Sequence, residues 1–185
     1  NHFMLDEFQD TSGMQWENFR PLVLNSMAAG NHNLVVGDVK QSIYRWRNSN
    51  WKILGSQVFQ DFPGFPVNEV TLGTNFRSHE KIIAFNNLFF HHFCQTVAGH
   101  EKLKEQEAYR KIIENIYSDA VQEVSPRNTG SGGLVKIELL EDENSSFEEL
   151  TLERLAEQVK QLQDHGFGAR DIAILIRKKD QGVRI

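Results

Sequence analysis

The chain has 185 residues, 39% of them hydrophobic, which is enough for one ordinary domain or parts of two around a packed core. Its formal charge of -5 excludes a protein that coats nucleic acid by bulk electrostatics, while a local track of a few placed cations stays open. The single cysteine, Cys94, excludes an intramolecular disulfide and a cysteine-built metal cluster, and it suits a small buried hydrophobe. No apolar run approaches the roughly 20 residues that span a bilayer, and no signal-peptide pattern opens the chain, so a cytoplasmic address with no membrane partner is expected.

In chain order, Phe3-Met4-Leu5 runs into Asp6-Glu7, which predicts a buried parallel strand whose C-terminal end presents carboxylates to a crevice. Open α/β sheets bind ligands there. Asp6 could hold Mg²⁺ largely through water, since that ion takes one or two carboxylates, and Glu7 would face an attacking water. A bare Asp-Glu pair equally suits a solvated acidic turn. Trp16, Phe19, Leu22, Val23 and Met27 predict a helix with one apolar face, stopped at Gly30-Asn31. Residues 34–36 predict a neighbouring strand of the same parallel sheet, which ends on Gly37-Asp38 and so repeats the strand-then-acid pattern. Tyr44-Arg45-Trp46-Arg47 alternates aromatic and cationic side chains, the composition of a surface on which single-stranded bases stack. A half-buried aromatic edge is the other reading of that run.

Residues 51–61 read as a short helix closed by Phe62-Pro63-Gly64-Phe65-Pro66, and residues 69–72 as a strand. Ser78 is expected to cap a helix whose buried stripe is Ile82, Phe85, Phe89 and Phe93. Residues 101–119, with Leu103, Tyr109, Ile112, Ile113 and Ile116, suit an amphipathic surface helix, and residues 125–133 a flexible link. Val135, Ile137 and Leu139 alternate as in a strand. Leu152, Leu155, Ala156, Val159 and Leu162 follow at helical spacing up to Gly166 and Gly168, and residues 172–176 read as a buried strand. Strand, helix and strand in this order predict a right-handed crossover in a parallel sheet. His91, His92 and Cys94 are poorly spaced for a metal, because adjacent helical positions diverge by about 100°. Glu141-Asp142-Glu143 suits a solvated acidic turn.

Three segments then stand in a telling order: Asp6-Glu7-Phe8-Gln9-Asp10-Thr11-Ser12, residues 34–47 from Leu34-Val35-Val36-Gly37-Asp38 to Tyr44-Arg45-Trp46-Arg47, and Leu72-Gly73-Thr74-Asn75-Phe76-Arg77-Ser78. Together they resemble motif II (Walker B), motif III and motif IV of superfamily 1 DNA helicases of the UvrD/Rep and RecB/AddA type. The resemblance implies an α/β fold class: an incomplete RecA-like P-loop NTPase parallel sheet with the beginning of a second RecA-like domain. It divides the chain into residues 1–75, the C-terminal part of the first RecA-like domain; residues 76–133, the motif IV helix, a helical connection and a linker; and residues 134–185, the start of the second domain.

The implied function is part of an ATP-dependent DNA helicase or translocase that couples ATP hydrolysis to movement on single-stranded DNA, in repair or recombination. Its ligands would be ATP and Mg²⁺, and its partners single-stranded DNA and the remainder of the helicase chain, with room for a second subunit. By resemblance Asp6 is the metal carboxylate, Glu7 the general base and Gln41 the sensor of the γ-phosphate, an amide that can donate and accept. Arg77 is the arginine finger and Phe76 lies on the adenine. Tyr44 and Trp46 stack on DNA bases, with Arg47 or Arg45 on phosphate or on an acid. Gln9 and Asp10 orient neighbours rather than react. Taken alone, Gln41 reads as a turn residue and Arg77 as a surface ion pair.

Val39 stands where proline or alanine is common, and Asn48-Ser49-Asn50 replaces a small Gly-Ala pair; Lys40-Gln41-Ser42 is closer to the RecB/AddA branch. The chain holds no Gly-x-x-x-x-Gly-Lys-Ser/Thr loop to cradle phosphates, so it reads as an internal fragment that is inactive alone. The alternatives are a catalytically inactive DNA-binding or assembly fragment of the same fold and, last, a two-metal nuclease centre at Asp6, Glu7 and Asp10.

Overall fold

The computed structural model describes residues 1–100, 106–141 and 146–185. The chain divides into two compact units, Asn1–Val135 and Lys136–Ile185.

The first unit begins with a strand–helix–strand turn of the α/β class. Strand β1 (Met4–Leu5) pairs in parallel with β2 (Leu34–Val35), in the register Met4 to Leu34 and Leu5 to Val35. Helix α1 (Gly13–Ala28) makes the connection between them. Ser12 caps α1 by accepting from the Gln15 amide while the Gln15 side chain returns to Ser12, which satisfies two end donors that would otherwise be orphaned. The helix stops at Gly30, whose φ of 76° favours glycine.

Trp16, Val23 and Met27 face the core as expected, whereas Phe19 and Leu22 are half exposed. The strands are half-buried rather than buried: Leu5 and Val35 pack on the core, while Met4 and Leu34 point outward from a two-stranded ladder. Residues 51–60 form the expected helix with a π-helical stretch at Ile53–Gln57 that runs into α2 (Val58–Gln60). Its Ile53 and Val58, with Phe8, Trp16, Val23 and Phe62, make the core. Trp16 is its centre, fully buried, edge-on to Phe8 at 5.1 Å and to Phe62 at 5.9 Å, with its indole N–H donating to Asp61 at 2.6 Å.

A second parallel ladder joins β3 (Thr74–Asn75) to β4 (Glu123–Val124). The expected strand at 69–72 therefore forms a few residues later, where Glu123 donates to the Gly73 carbonyl and Ser125 to that of Asn75. Helix α3 (Glu80–Ala98) follows, with His79 rather than Ser78 at the N-cap position and no side-chain cap bond, and α4 (Glu107–Ile116) packs beside it. The buried stripe expected on α3 is corrected: Ile83 is fully buried and Ile82 and Phe85 half-buried, while Phe89 and Phe93 are about half exposed and stack on from Phe85 at 5.7–5.9 Å. A one-residue shift of helix phase turns the face by about 100°, which separates the two stripes. Residues 125–133 are not a free link. Asn128 donates to the Ser78 carbonyl at 2.8 Å, and the Lys81 amide at the start of α3 donates to Gly132 at 2.9 Å. The expectations at Leu103 and at Asp142-Glu143 lie outside the described residues.

In the second unit, helix α5 (Phe147–Asp164) forms as expected, with Ser146 and Glu149 closing a capping box. A short helix α6 (Lys179–Arg184) ends the chain. Residues 134–139 and 172–176 are not strands here. A strand needs a neighbour for its backbone groups, no ladder forms among the described residues of this unit, and Leu139 and Leu175 stay more than nine-tenths exposed. No helix among the described residues is long and apolar enough to cross a membrane.

The core yields one test. Trp16→Ala should cost about 3–5 kcal/mol by leaving a cavity, and Trp16→Phe, which loses mainly the bond to Asp61, about 1 kcal/mol. Urea midpoints would order wild type, Phe, Ala; an Ala variant as stable as wild type contradicts this core.

Candidate functional site

The end of β1 is shaped by what Phe8 must do. Its ring goes into the core against Trp16, and the chain turns sharply to deliver it, with Phe8–Asp10 forming a single 3-10 turn. Glu7 absorbs the change of direction in the left-handed region, at φ 49° and ψ 38°, a conformation that costs a non-glycine residue on the order of 1 kcal/mol. Asp6 and Glu7 are left exposed at the strand end, and Asp6 Oδ1 accepts from the Glu7 amide at 2.8 Å.

Gln9 follows Phe8 inward and is 2% exposed. Its Nε2 donates to Glu7 Oε2 at 2.6 Å, its Oε1 accepts from the Asp38 amide at 3.1 Å, and its carbonyl accepts from Ser42 Oγ at 3.1 Å. Room for this amide exists because residue 37 is glycine: a Cβ there would lie 2.6 Å from Gln9 Oε1 and 2.8 Å from Leu54 Cδ2. The first and second motifs therefore meet. The sequence reading assigned Gln9 to orientation, but the opposing Gly37 carries no periodic or charge signal that would have named it as the partner.

Beyond Gly37, Asp38 caps the turn Val39–Gln41. Its Oδ1 accepts from the Lys40 amide at 2.9 Å, and its Oδ2 accepts from Gln41 Nε2 at 3.1 Å. Lys40 Nζ lies 3.1 Å from both Asp38 Oδ1 and Asp119 Oδ1. Partial burial disfavours the charge on Asp38, but the bonds from the Lys40 backbone, Gln41 and the Lys40 side chain outweigh it and hold the carboxyl below its ordinary value. Burial likewise opposes the charge on Lys40, and its two carboxylate partners outweigh that and raise its pKa. Asp119 was missed by sequence reading, because it joins residue 40 across 79 positions with no motif around it.

Tyr44-Arg45-Trp46-Arg47 stands on the surface. Trp46 is 72% exposed, and its ring lies 6.2 Å from that of Tyr44. The Arg47 guanidinium sits over Trp46 at 4.5 Å and near Tyr44 at 5.6 Å, a cation–π stack that steadies the two rings. Trp46 is thus mostly open to solvent, while Tyr44 is 38% exposed. The run is held to the core side by an antiparallel bridge between Ser12 and Ser49 and by the Asn50 amide donating to Thr11.

Asn75 organises the third motif: its Oδ1 accepts from the amides of Arg77 and Ser78, both at 2.9 Å. Phe76 is 66% exposed and the Arg77 side chain is exposed, with no ion-pair partner among the described residues. No described hydrogen bond or ion pair joins Phe76 or Arg77 to Asp6, Glu7 or Gln41. For a metal, Asp6 offers one exposed hard carboxylate, and no group of three or more His, Cys, Asp or Glu among the described residues could hold an ion unaided. That fits a cation which keeps its waters and arrives with a phosphate ligand, and it does not fit a two-metal centre. His91, by contrast, is engaged with Gln95 at 3.1 Å along α3.

The depressed pKa of Asp38 has a signed consequence. Its contribution to stability is present above the unfolded carboxylate value of about 3.9 and is lost as pH falls through the lower folded value. The stability gap between wild type and Asp38→Asn should therefore be open at neutral pH and close below about pH 4. Chemical denaturation across that range would show it, and a gap that widens in acid would contradict it.

Residues 1–63 match the family of the UvrD/REP helicase N-terminal domain. The exonuclease/helicase protein RexA of Lactococcus lactis is 29% identical over 196 aligned positions, covering 100% of this chain and 15% of that protein. An ATP-dependent helicase/nuclease protein of Streptococcus uberis is 36% identical over 52% of the chain and 8% of its own length, and its namesake in Streptococcus pyogenes is 27% identical over 95% and 14%. The chain thus spans at most about 15% of the length of these relatives. Its three motifs and these likenesses agree: residues 1–63 match the UvrD/REP helicase N-terminal domain, and the chain is similar to helicases of the UvrD/RecB type.

Proposed function

We propose that this chain supplies part of the nucleotide and single-stranded DNA site of a superfamily 1 ATP-dependent helicase or translocase acting in DNA repair or recombination in the cytoplasm. The observation that carries the reading is the direct contact of motif II with motif III, Glu7 to Gln9 to Asp38, with an exposed aromatic platform only a few residues further on. A motor must couple phosphate chemistry to a grip on DNA, and here Gln41 and the Tyr44–Trp46 platform leave one short segment that is bonded to Gln9 and through it to Glu7. Residues 1–75 are read as part of a first RecA-like domain, with motif IV and its helix following in residues 76–133, and residues 134–185 as the start of a second.

Bound Mg²⁺ would neutralise phosphate charge, and Asp6 is the residue that would hold it, through water. Glu7, exposed at the strand end with one oxygen held by Gln9, would accept the proton of an attacking water at its other oxygen. Gln41, resting on Asp38, has an amide that can exchange that partner for a γ-phosphate. Arg77 supplies permanent positive charge for phosphate oxygens, and Phe76 a ring for the adenine. Tyr44 and Trp46 offer faces to bases. Arg47, stacked over both rings with its N–H groups still able to donate, or Arg45 would be the cation for a DNA phosphate. The chain alone, without a phosphate-cradling loop in its sequence, is expected to turn over no ATP.

In the longer protein that this reading requires, Glu7→Gln should retain ATP binding and lose about 10²–10⁴ in turnover, while Arg77→Ala slows hydrolysis. Wild-type turnover in both variants would remove the motor assignment and leave the inactive DNA-binding reading. Trp46→Ala should weaken single-stranded DNA binding by about 1–3 kcal/mol, alike on mixed-sequence and poly-thymidine strands, with DNA-free ATPase intact. Unchanged affinity would take the platform out of the DNA track.

A further inference from the structure

Gln9 has a geometry that a core residue does not need. It is almost fully buried, yet both ends of its amide are engaged, one by an exposed carboxylate and one by a backbone donor of another motif. The Asp38 amide can only donate, so it requires Oε1 to face it; the amide is then polarised so that Nε2 must point at Glu7. A flip would lose both bonds and set two acceptors, Oε1 and the Glu7 carboxylate, against each other. The Gly37 niche and the Ser42 hydroxyl on the Gln9 carbonyl hold the residue from two further sides.

We propose that Gln9 is a positioning residue: it fixes the direction of the Glu7 carboxylate and ties that direction to the backbone of residues 37–42, so that movement of motif III realigns the base. The proposal rests on the reading of Glu7 as general base. Glu7 sits in a strained, exposed conformation with no other side-chain partner among the described residues. Without the Gln9 donor its carboxylate would sample several rotamers, and the free oxygen would lose its fixed direction. Since Gln41 lies in the same turn as Asp38, contact of its amide with a ligand would reach the base through only the Asp38 amide and the Gln9 side chain.

The test is single-turnover ATP hydrolysis by the longer protein with Gln9→Leu, Gln9→Glu, Glu7→Gln and the Gln9→Leu, Glu7→Gln pair. Gln9→Leu removes both bonds; Gln9→Glu keeps an acceptor for the Asp38 amide but replaces the donor to Glu7 by an oxygen that repels it, so it misdirects the Glu7 carboxylate by a second route and carries the test if the leucine variant does not fold. The hydrolysis step should fall about 10- to 100-fold in either Gln9 variant, with KM for ATP within about twofold of wild type. In the Glu7→Gln background the Gln9 substitution should add no further loss, because a residue that acts through Glu7 has nothing left to position. Losses that multiply in the double variant would make Gln9 a structural residue and overturn the proposal. A slow Glu7→Gln beside wild-type rates for Gln9→Leu and Gln9→Glu would overturn it while sparing the base assignment. A wild-type rate for Glu7→Gln would overturn the base assignment, and the proposal with it.

Discussion

The site depends on one missing methyl group. Gly37 has no side chain, and the amide of Gln9 fills the space that a Cβ would claim at 2.6 Å. The strand ladder brings these residues together: Val36 donates to Leu5 and Phe8 donates to Val36, so the first residues after each strand face one another across the end of the sheet. A parallel pair with its register set by two core-facing residues, Leu5 and Val35, leaves little freedom to slip. With any larger residue at position 37, Gln9 would have to leave the niche or the strands would have to part. Either change would release Glu7 on one side and the Asp38 amide on the other.

The core and the site are one mechanical object. Trp16 holds Phe8 edge-on, Phe8 forces the turn, and the turn forces Glu7 into the left-handed region and Gln9 inward. The strain at Glu7 is small beside the burial of Phe8 and Trp16, each worth about 1.5–3 kcal/mol, so the packing decides the conformation of the exposed carboxylate. On the other strand, Asp38 turns the chain back with a cap, Lys40 links that turn to Asp119, and the same segment continues into the Tyr44–Trp46 platform. Asp119 lies shortly before β4, the partner strand of β3 and its Asn75-Phe76-Arg77 motif. Within the first unit, ion pairing and strand pairing thus join motif III to the segment that carries motif IV.

Much of this was legible in the sequence where local chemistry decides. The strand-then-acid pattern marked β1 and β2 and their parallel neighbourhood, and Gly30 stopped its helix as expected. Reading failed where long-range packing decides. The phase of α3 was misread because it carries phenylalanines on more than one side, and only the contact at Ile83 selects the buried one. Residues 125–133 look like a linker by composition, yet the Asn128 side chain and the Gly132 carbonyl hold the start of α3. The alternation at Val135, Ile137 and Leu139 is a strand pattern without a partner within its own unit. At the site, motif resemblance put forward Glu7, Gln41, Trp46 and Arg77 as candidates, whereas the Gly37 niche and the reach of Lys40 to Asp119 are properties of the folded chain that carry no local signal.

The central claim is that the side chain of Gln9 occupies the glycine niche and accepts from the Asp38 amide. Hydrogen exchange at that amide tests it most directly, because Asp38 N–H has no backbone carbonyl partner among the described residues and owes its protection to Gln9 Oε1. The account predicts a protected Asp38 amide in the wild type that becomes freely exchanging in Gln9→Leu, while the ladder amides of Phe8 and Val36 stay protected in both. An Asp38 amide that exchanges as fast as an unstructured peptide in the wild type, beside protected ladder amides, would contradict the account.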